Sequence, residues 1–148
     1  MVTNISTNNA RLTIMIGAIP VEIEGFSAES DMWVPNGTIQ TAETLKTADG
    51  AMVAYGKNAV IRYTLTLNGG SKSARILKEV LKQQSRNGAI PAILLPVTAT
   101  MINPSAGIKE IYIDGTLEDG DVGARHGNQH LLDQSWTFAF GTMNTIYT

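Results

Sequence analysis

The segment from Lys57 to Gly88, KNAVIRYTLTLNGGSKSARILKEVLKQQSRNG, constrains the fold more than any other part of the chain. In its first part Ile61, Tyr63, Leu65 and Leu67 fall on one face, and Val60, Arg62, Thr64 and Thr66 on the other. A period of two carried by β-branched and aromatic residues marks a half-buried strand. Asn68-Gly69-Gly70 ends that strand, and Ser71 or Ser73 then caps a helix predicted over residues 72–86. Ala74, Leu77, Val80, Leu81 and, at the margin, Gln84 recur at helical spacing, with Leu77, Val80 and Leu81 as the core-facing residues. Arg75, Lys78, Glu79 and Lys82 take the wet side, and Asn87-Gly88 stops the helix. No other stretch carries a convincing helical pattern, so the chain must lay one helix on β structure.

The strands around it are short. Leu12, Ile14 and Ile16 alternate with Arg11, Thr13 and Met15, and Val21 and Ile23 with Glu22 and Glu24. Asp31 to Val34 is a third strand, stopped by Pro35-Asn36-Gly37. Residues 38–56 form a long excursion with a hairpin-like tip at Thr47-Ala48-Asp49-Gly50, where Gly supplies a positive φ. Ile90 to Met101 is a strand or a broken pair, assigned to a sheet edge on account of Pro91 and Pro96. Ile108 to Leu117 sets Ile111 and Ile113 opposite Glu110 and Tyr112; Glu118 to Asn128 reads as a loop; and Ser135 to Gly141 places Trp136, Phe138 and Phe140 on one face. Seven or eight strands and one helix predict a single mainly β domain over residues 1–148, a sandwich or barrel with the helix flanking it. The polar residues 1–9 are expected to be a flexible arm.

Composition narrows the chemistry. Of 148 residues only 16% are charged, against about a quarter in a typical soluble domain, which points to surface covered by partners. The net charge of −2 offers no basic field for nucleic acid. With no Cys there is no thiol nucleophile and no Cys-ligated zinc. Neither a secretory signal nor a membrane span is expected. Asn68-Gly69-Gly70-Ser71-Lys72-Ser73 sits where a phosphate loop would, but Ser71 and Thr66 stand where that pattern needs Gly, so it reads as a turn and helix cap. His126 and His130, near Asp119, Asp121 and Asp133, lie in a Gly-containing stretch without a recognised ligand spacing and read as a solvated loop. No G-x-S-x-G elbow accompanies the Ser, His and Asp inventory. The expectation is therefore no enzyme, no cofactor and no metal site.

The order of elements resembles bacteriophage contractile-tail tube proteins, which are akin to the tube protein of type VI secretion. The residues that carry the resemblance are the strand pair from Leu12 to Gly25 and the Lys46-Thr47-Ala48-Asp49-Gly50 turn within the excursion. The strand–turn–helix of Val60 to Gln83 and a late Gln134-Ser135-Trp136-Thr137-Phe138 segment, similar to a W-x-F signature, complete the set. The resemblance implies a β-sandwich or barrel with a flanking helix, hexameric rings stacked into a hollow tube, and a location in the virion tail after assembly in the host cytoplasm. It further implies a sheath protein around the tube, baseplate and tape-measure partners, and DNA passing through without specific binding. Lys46, Asp49 and Gly50 would then belong to an assembly loop.

A channel that passes DNA needs a neutral or acidic wall, because a basic one would hold the phosphates. Glu22 and Glu24, two apart on a strand with no basic run to pair them, are the expected lumen residues, ahead of a Thr64, Thr66 and Thr137 face that Arg62 adjoins. Two other readings stay open: a small β-sandwich decoration or binding module, and a baseplate or tube-terminator protein of the same fold. A small hydrolase is the enzymatic alternative and predicts a deep pocket with perturbed titrating groups.

Overall fold

The computed structural model describes residues 10–24, 26, 31–57, 59–85 and 94–147. Nine strands and one helix lie among them: β1 (Arg11–Ile16), β2 (Ile19–Glu22), β3 (Trp33–Pro35), β4 (Ala42–Lys46), β5 (Met52–Gly56), β6 (Ile61–Leu67), α1 (Lys72–Gln84), β7 (Val97–Asn103), β8 (Ile108–Gly120) and β9 (Gln134–Tyr147). Seven strands form one sheet in the order β2-β1-β7-β8-β9-β6-β3, every described pair antiparallel, and β4 and β5 form a separate hairpin. The fold is sandwich-like and mainly β, and among the described residues the sheet does not close into a barrel.

The sandwich comes from two strands long enough to serve both layers. The first half of β8 pairs with β7 and with the last half of β9, from Thr142 to Tyr147. Its second half pairs with the first half of β9, which carries β6 and then β3 on its other side. Between the halves lies a crease. Asp114 takes a positive φ of 55°, a conformation that Asp tolerates better than bulkier residues. The next residue, Gly115, lies under the Phe140 ring so closely that a Cβ there would overlap it. Register shifts at Val97/Ala99 and Leu117/Asp119 add the bulges that such bending needs.

Strand alternation fills the space between the layers. Leu12, Ile14 and Ile16 meet Val97, Ala99, Met101, Leu65, Leu67, Leu117, Trp136, Phe138 and Phe140 in one buried cluster. Tyr112 is fully buried as well, and its hydroxyl accepts the Trp33 indole N–H at 3.1 Å, joining the two layers. Trp33 and Tyr63 stack with centroids 5.0 Å apart.

Helix α1 starts as expected: Ser71 is the N-cap and accepts the Ala74 N–H at 3.2 Å. Leu77 and Leu81 are buried, and Val80 is half-buried against the same core. Three polar side chains dock the helix as well. Ser73 accepts the Glu24 N–H at 2.8 Å and donates to the Glu22 carbonyl at 3.4 Å. Gln84 donates to the Leu117 carbonyl at 2.9 Å and accepts the Leu95 N–H at 3.3 Å. Lys78, expected on the wet side, is buried instead and donates to the Gly69 carbonyl at 3.2 Å. Its alkyl stem covers apolar surface while its ammonium satisfies a turn carbonyl.

Three other expectations are corrected. The strand after the helix is no edge: β7 lies between β1 and β8, because Pro96 stops just outside it and costs the ladder no N–H. Strand β8 runs on to Gly120, through residues read as loop, since bulges absorb the break in alternation. Strand β9 continues six residues past Gly141 to Tyr147. The helix stop at Asn87-Gly88, Pro91 and the arm of residues 1–9 lie outside the described residues.

Candidate assembly surface

The hairpin of β4 and β5 turns at Thr47–Gly50, with Gly50 at φ 89° and the Thr47 N–H bonded to the Ala51 carbonyl at 2.8 Å. The Asp49 carboxylate accepts the Thr47 hydroxyl, which holds it below the usual carboxylate range. Lys46 closes β4 opposite Met52, so Lys46, Asp49 and Gly50 sit together at the hairpin tip. At its base the Glu43 carboxylate accepts the Tyr55 hydroxyl at 2.5 Å and pairs with Lys57 at 3.0 Å; both contacts lower its pKa, the Tyr55 bond more.

The hairpin exposes apolar side chains on both faces. Leu45, Val53 and Tyr55 share one face, and Met52 points to the other with 71% of its surface exposed. A two-stranded ribbon without a third strand or a packed face is marginal in water. Contiguous apolar surface on such a ribbon marks an interaction site.

The edges of the main sheet are not equivalent. At the end of β2 the outward-facing Glu22 carbonyl and, two residues on, the Glu24 N–H are both taken by Ser73, so α1 covers that end of the edge. Strand β3 is three residues long and ends at Pro35, which has no N–H. The last half of β9 is different. From Thr142 to Tyr147 it pairs with β8 on one side, and on the other it has no partner among the described strands. Thr142, Asn144, Thr145, Ile146 and Tyr147 are exposed there, on both faces. An edge of this kind is a template for another strand.

Glu22 and Glu24 are exposed and line one groove with Ile19, Pro20, Val21, Lys72, Ser73 and Ile76. The basic neighbour that sequence distance hid is thus Lys72, at the start of α1. On the other face weighed for the channel, Arg62 pairs with Glu118 at 3.0 Å and Thr66 shares a hydrogen bond with Ser135 at 3.1 Å. His126 and His130 lie in a short turn, with the Gly127 N–H bonded to the His130 carbonyl at 2.9 Å. Among the described residues no three or more His, Asp or Glu side chains gather as metal ligands. Sequence reading missed the block by Ser73 and the free half of β9. The alternation of Thr142, Asn144 and Ile146 with Met143, Thr145 and Tyr147 was the available signal for the second.

Three solved structures share the fold over nearly their whole length. The chain is similar to a protein in the sheath–tube complex of an extracellular contractile injection system, PVC, in the extended state (TM-score 0.57, 9% identity, 93% of this chain and 89% of that one). It is similar to one in the PVC sheath/tube terminator (0.53, 10% identity, 92% and 93%). A third lies in the baseplate of the anti-feeding prophage (0.54, 13% identity, 99% and 98%). At these identities the likeness is one of fold. No curated protein sequence matches the chain. A family model described as tail fiber protein gp32 matches residues 3–144, and the chain belongs to that family.

Proposed function

We propose that this protein is a structural component of a contractile phage tail, self-assembling into rings that stack as the inner tube and conduct DNA. The observation that carries the reading is the pairing of two features on one small domain: a hairpin with exposed Leu45, Val53 and Tyr55 on one face and Met52 on the other, and a six-residue stretch of β9 whose outer edge has no partner among the described strands. Both need a protein partner, and they lie on different elements. A contact between two different patches of one chain is heterologous, and it closes into a ring when its rotation allows. The fold shared with tube, terminator and baseplate proteins supports this reading, as does the low charge content. Sixfold symmetry, a surrounding sheath and baseplate and tape-measure contacts follow from the tube reading. So does a location in the virion tail after assembly in the host cytoplasm.

In this reading Lys46, Asp49 and Gly50 at the hairpin tip contact a neighbouring subunit, and Glu22 and Glu24 line the channel. The acidic pair shares its groove with Lys72, so two acidic side chains against one basic one leave the wall there mildly acidic, which still lets DNA slide.

Electron microscopy of the purified protein tests the proposal: rings or tubes are expected. Leu45→Asp combined with Val53→Asp should abolish them while leaving the sandwich folded by circular dichroism. A monodisperse monomer at high concentration, or tubes formed equally well by the double variant, refutes it. In assembled particles Glu22→Lys with Glu24→Lys should slow DNA ejection without blocking tube formation. Side chains found facing the sheath would overturn the channel assignment alone.

A further inference from the structure

Glu110 stands where a carboxylate is not expected. It lies on β8 two residues before the fully buried Tyr112 and directly opposite Met101, which is buried against Leu12. Alternation therefore turns Glu110 toward the inside of the sandwich, at its end, and it is half-buried there. Among the described residues it has no cationic partner. A charge turned inward is ordinarily paired.

The space in front of it is a cavity of about 220 Å³ walled by Trp33, Tyr63, Met101, Ile108 and Pro35, among others. Among the described residues Glu110 is the only acidic or basic side chain in that wall. The volume is below that of ordinary small-molecule sites, about 300–1,000 Å³, and suits a single side chain. Apart from Glu110 and Asn103 the described wall is apolar, and the stacked Trp33 and Tyr63 belong to it, aromatic rings of the kind that attract a cation. The field of Glu110 reaches this surface: after burial and its hydroxyl contact with Tyr112, it is one of the causes that shift the Tyr63 pKa, and it acts upward.

From the inward carboxylate and its apolar, aromatic cavity, we infer that this end of the sandwich is a binding site for a primary ammonium on a short apolar stem, the group that a lysine side chain presents. The ammonium pairs with Glu110 and the stem lies between Met101, Ile108 and the rings. Neutral and anionic groups are rejected, the first because they leave the carboxylate unpaired and the second by repulsion. The site does not depend on whether the chain builds a tube.

The test is a titration of the full-length protein, followed by the Trp33 indole N–H in NMR spectra, with the fully buried Trp136 as internal control. The probes are N-acetyl-lysine N-methylamide, its neutral norleucine analogue and n-butylammonium. The lysine amide should shift the Trp33 signal saturably, with a Kd on the order of 1–10 mM for a group this small. Glu110→Gln, which keeps the shape, should weaken it by about tenfold or more. The norleucine analogue should produce no saturable shift. Equal binding of the two ammonium probes assigns recognition to stem and charge alone, and tighter binding of the amide assigns it to a peptide-borne lysine; both uphold the site. No saturable shift with either ammonium, equal binding of the norleucine analogue, or unchanged binding to Glu110→Gln overturns it.

Discussion

Truncation along α1 should give a graded loss of stability, with the grading set by depth. Leu77 is fully buried, Leu81 is 9% exposed, and Val80 is half-buried on the wall of a groove it shares with Ile16, Ile19, Val21, Ile76 and Leu95. Leu77→Ala removes roughly three methylene equivalents at about 0.8 kcal/mol each, near 2.4 kcal/mol of transfer free energy. The surrounding sandwich is held by two layers and cannot collapse fully, which adds about 1–2 kcal/mol for the cavity. Leu77→Ala should therefore cost about 3.5–4.5 kcal/mol and Leu81→Ala about 2–3 kcal/mol. Val80→Ala, whose methyls already meet water, should cost about 1 kcal/mol. For a domain of this length each kcal/mol is worth about 2–4 °C, so Leu77→Ala should lower Tm by roughly 10 °C. The assay is thermal and urea unfolding at a concentration where the protein is monomeric, because assembly would add its own stabilisation by mass action. Equal losses for all three, or a Leu77→Ala loss within about 1 kcal/mol, would refute the docking of α1 through this face.

Other positions carry their own expectations. Gly115→Val places a branched side chain under the Phe140 ring and against the Val97 carbonyl; it should cost about 2–3 kcal/mol in a urea melt, and an unchanged midpoint would remove the crease from its place at Asp114–Gly115. Ser73→Ala removes the two hydrogen bonds that tie α1 to the end of β2 and the residues just after it and should cost about 1–3 kcal/mol, with faster amide exchange at Glu24 as the specific readout. Glu43 is held below its ordinary value of 4.5 by Tyr55 and then Lys57, so its contribution is complete above pH 4.5 and is lost as pH falls through the lower folded value. Carbon-detected NMR should find the Glu43 midpoint rising toward 4.5 in Tyr55→Phe, and an unmoved midpoint would mean that the hydroxyl is not the cause.

What could be read from residues alone followed how local the physics was. The alternation of Ile61 to Leu67 and the spacing of Ala74, Leu77 and Leu81 report burial directly, and they identified β6, α1 and the faces that form the core. The turn at Asp49-Gly50 likewise announced a hairpin, because positive φ is a property of one residue. Position within the sheet is not local. Pro96 reads as an edge marker, yet the strand begins one residue after it and runs through the sheet interior. Buried polar groups are equally opaque: Lys78 looks like a wet helical residue until its partner, the Gly69 carbonyl, is brought beneath it. The same reasoning governs the candidate surfaces. No basic run adjoins Glu22 and Glu24 in the sequence, because Lys72 lies 48 residues beyond Glu24 and shares their groove only in the fold. Glu110 shares a strand face with Tyr112 in the sequence, and only the register with Met101 shows that face to be the inner one. A surface that serves assembly has no catalytic geometry to announce it. Its mark is the set of groups that one protomer leaves without partners, and that set is defined only after every other group has found its own.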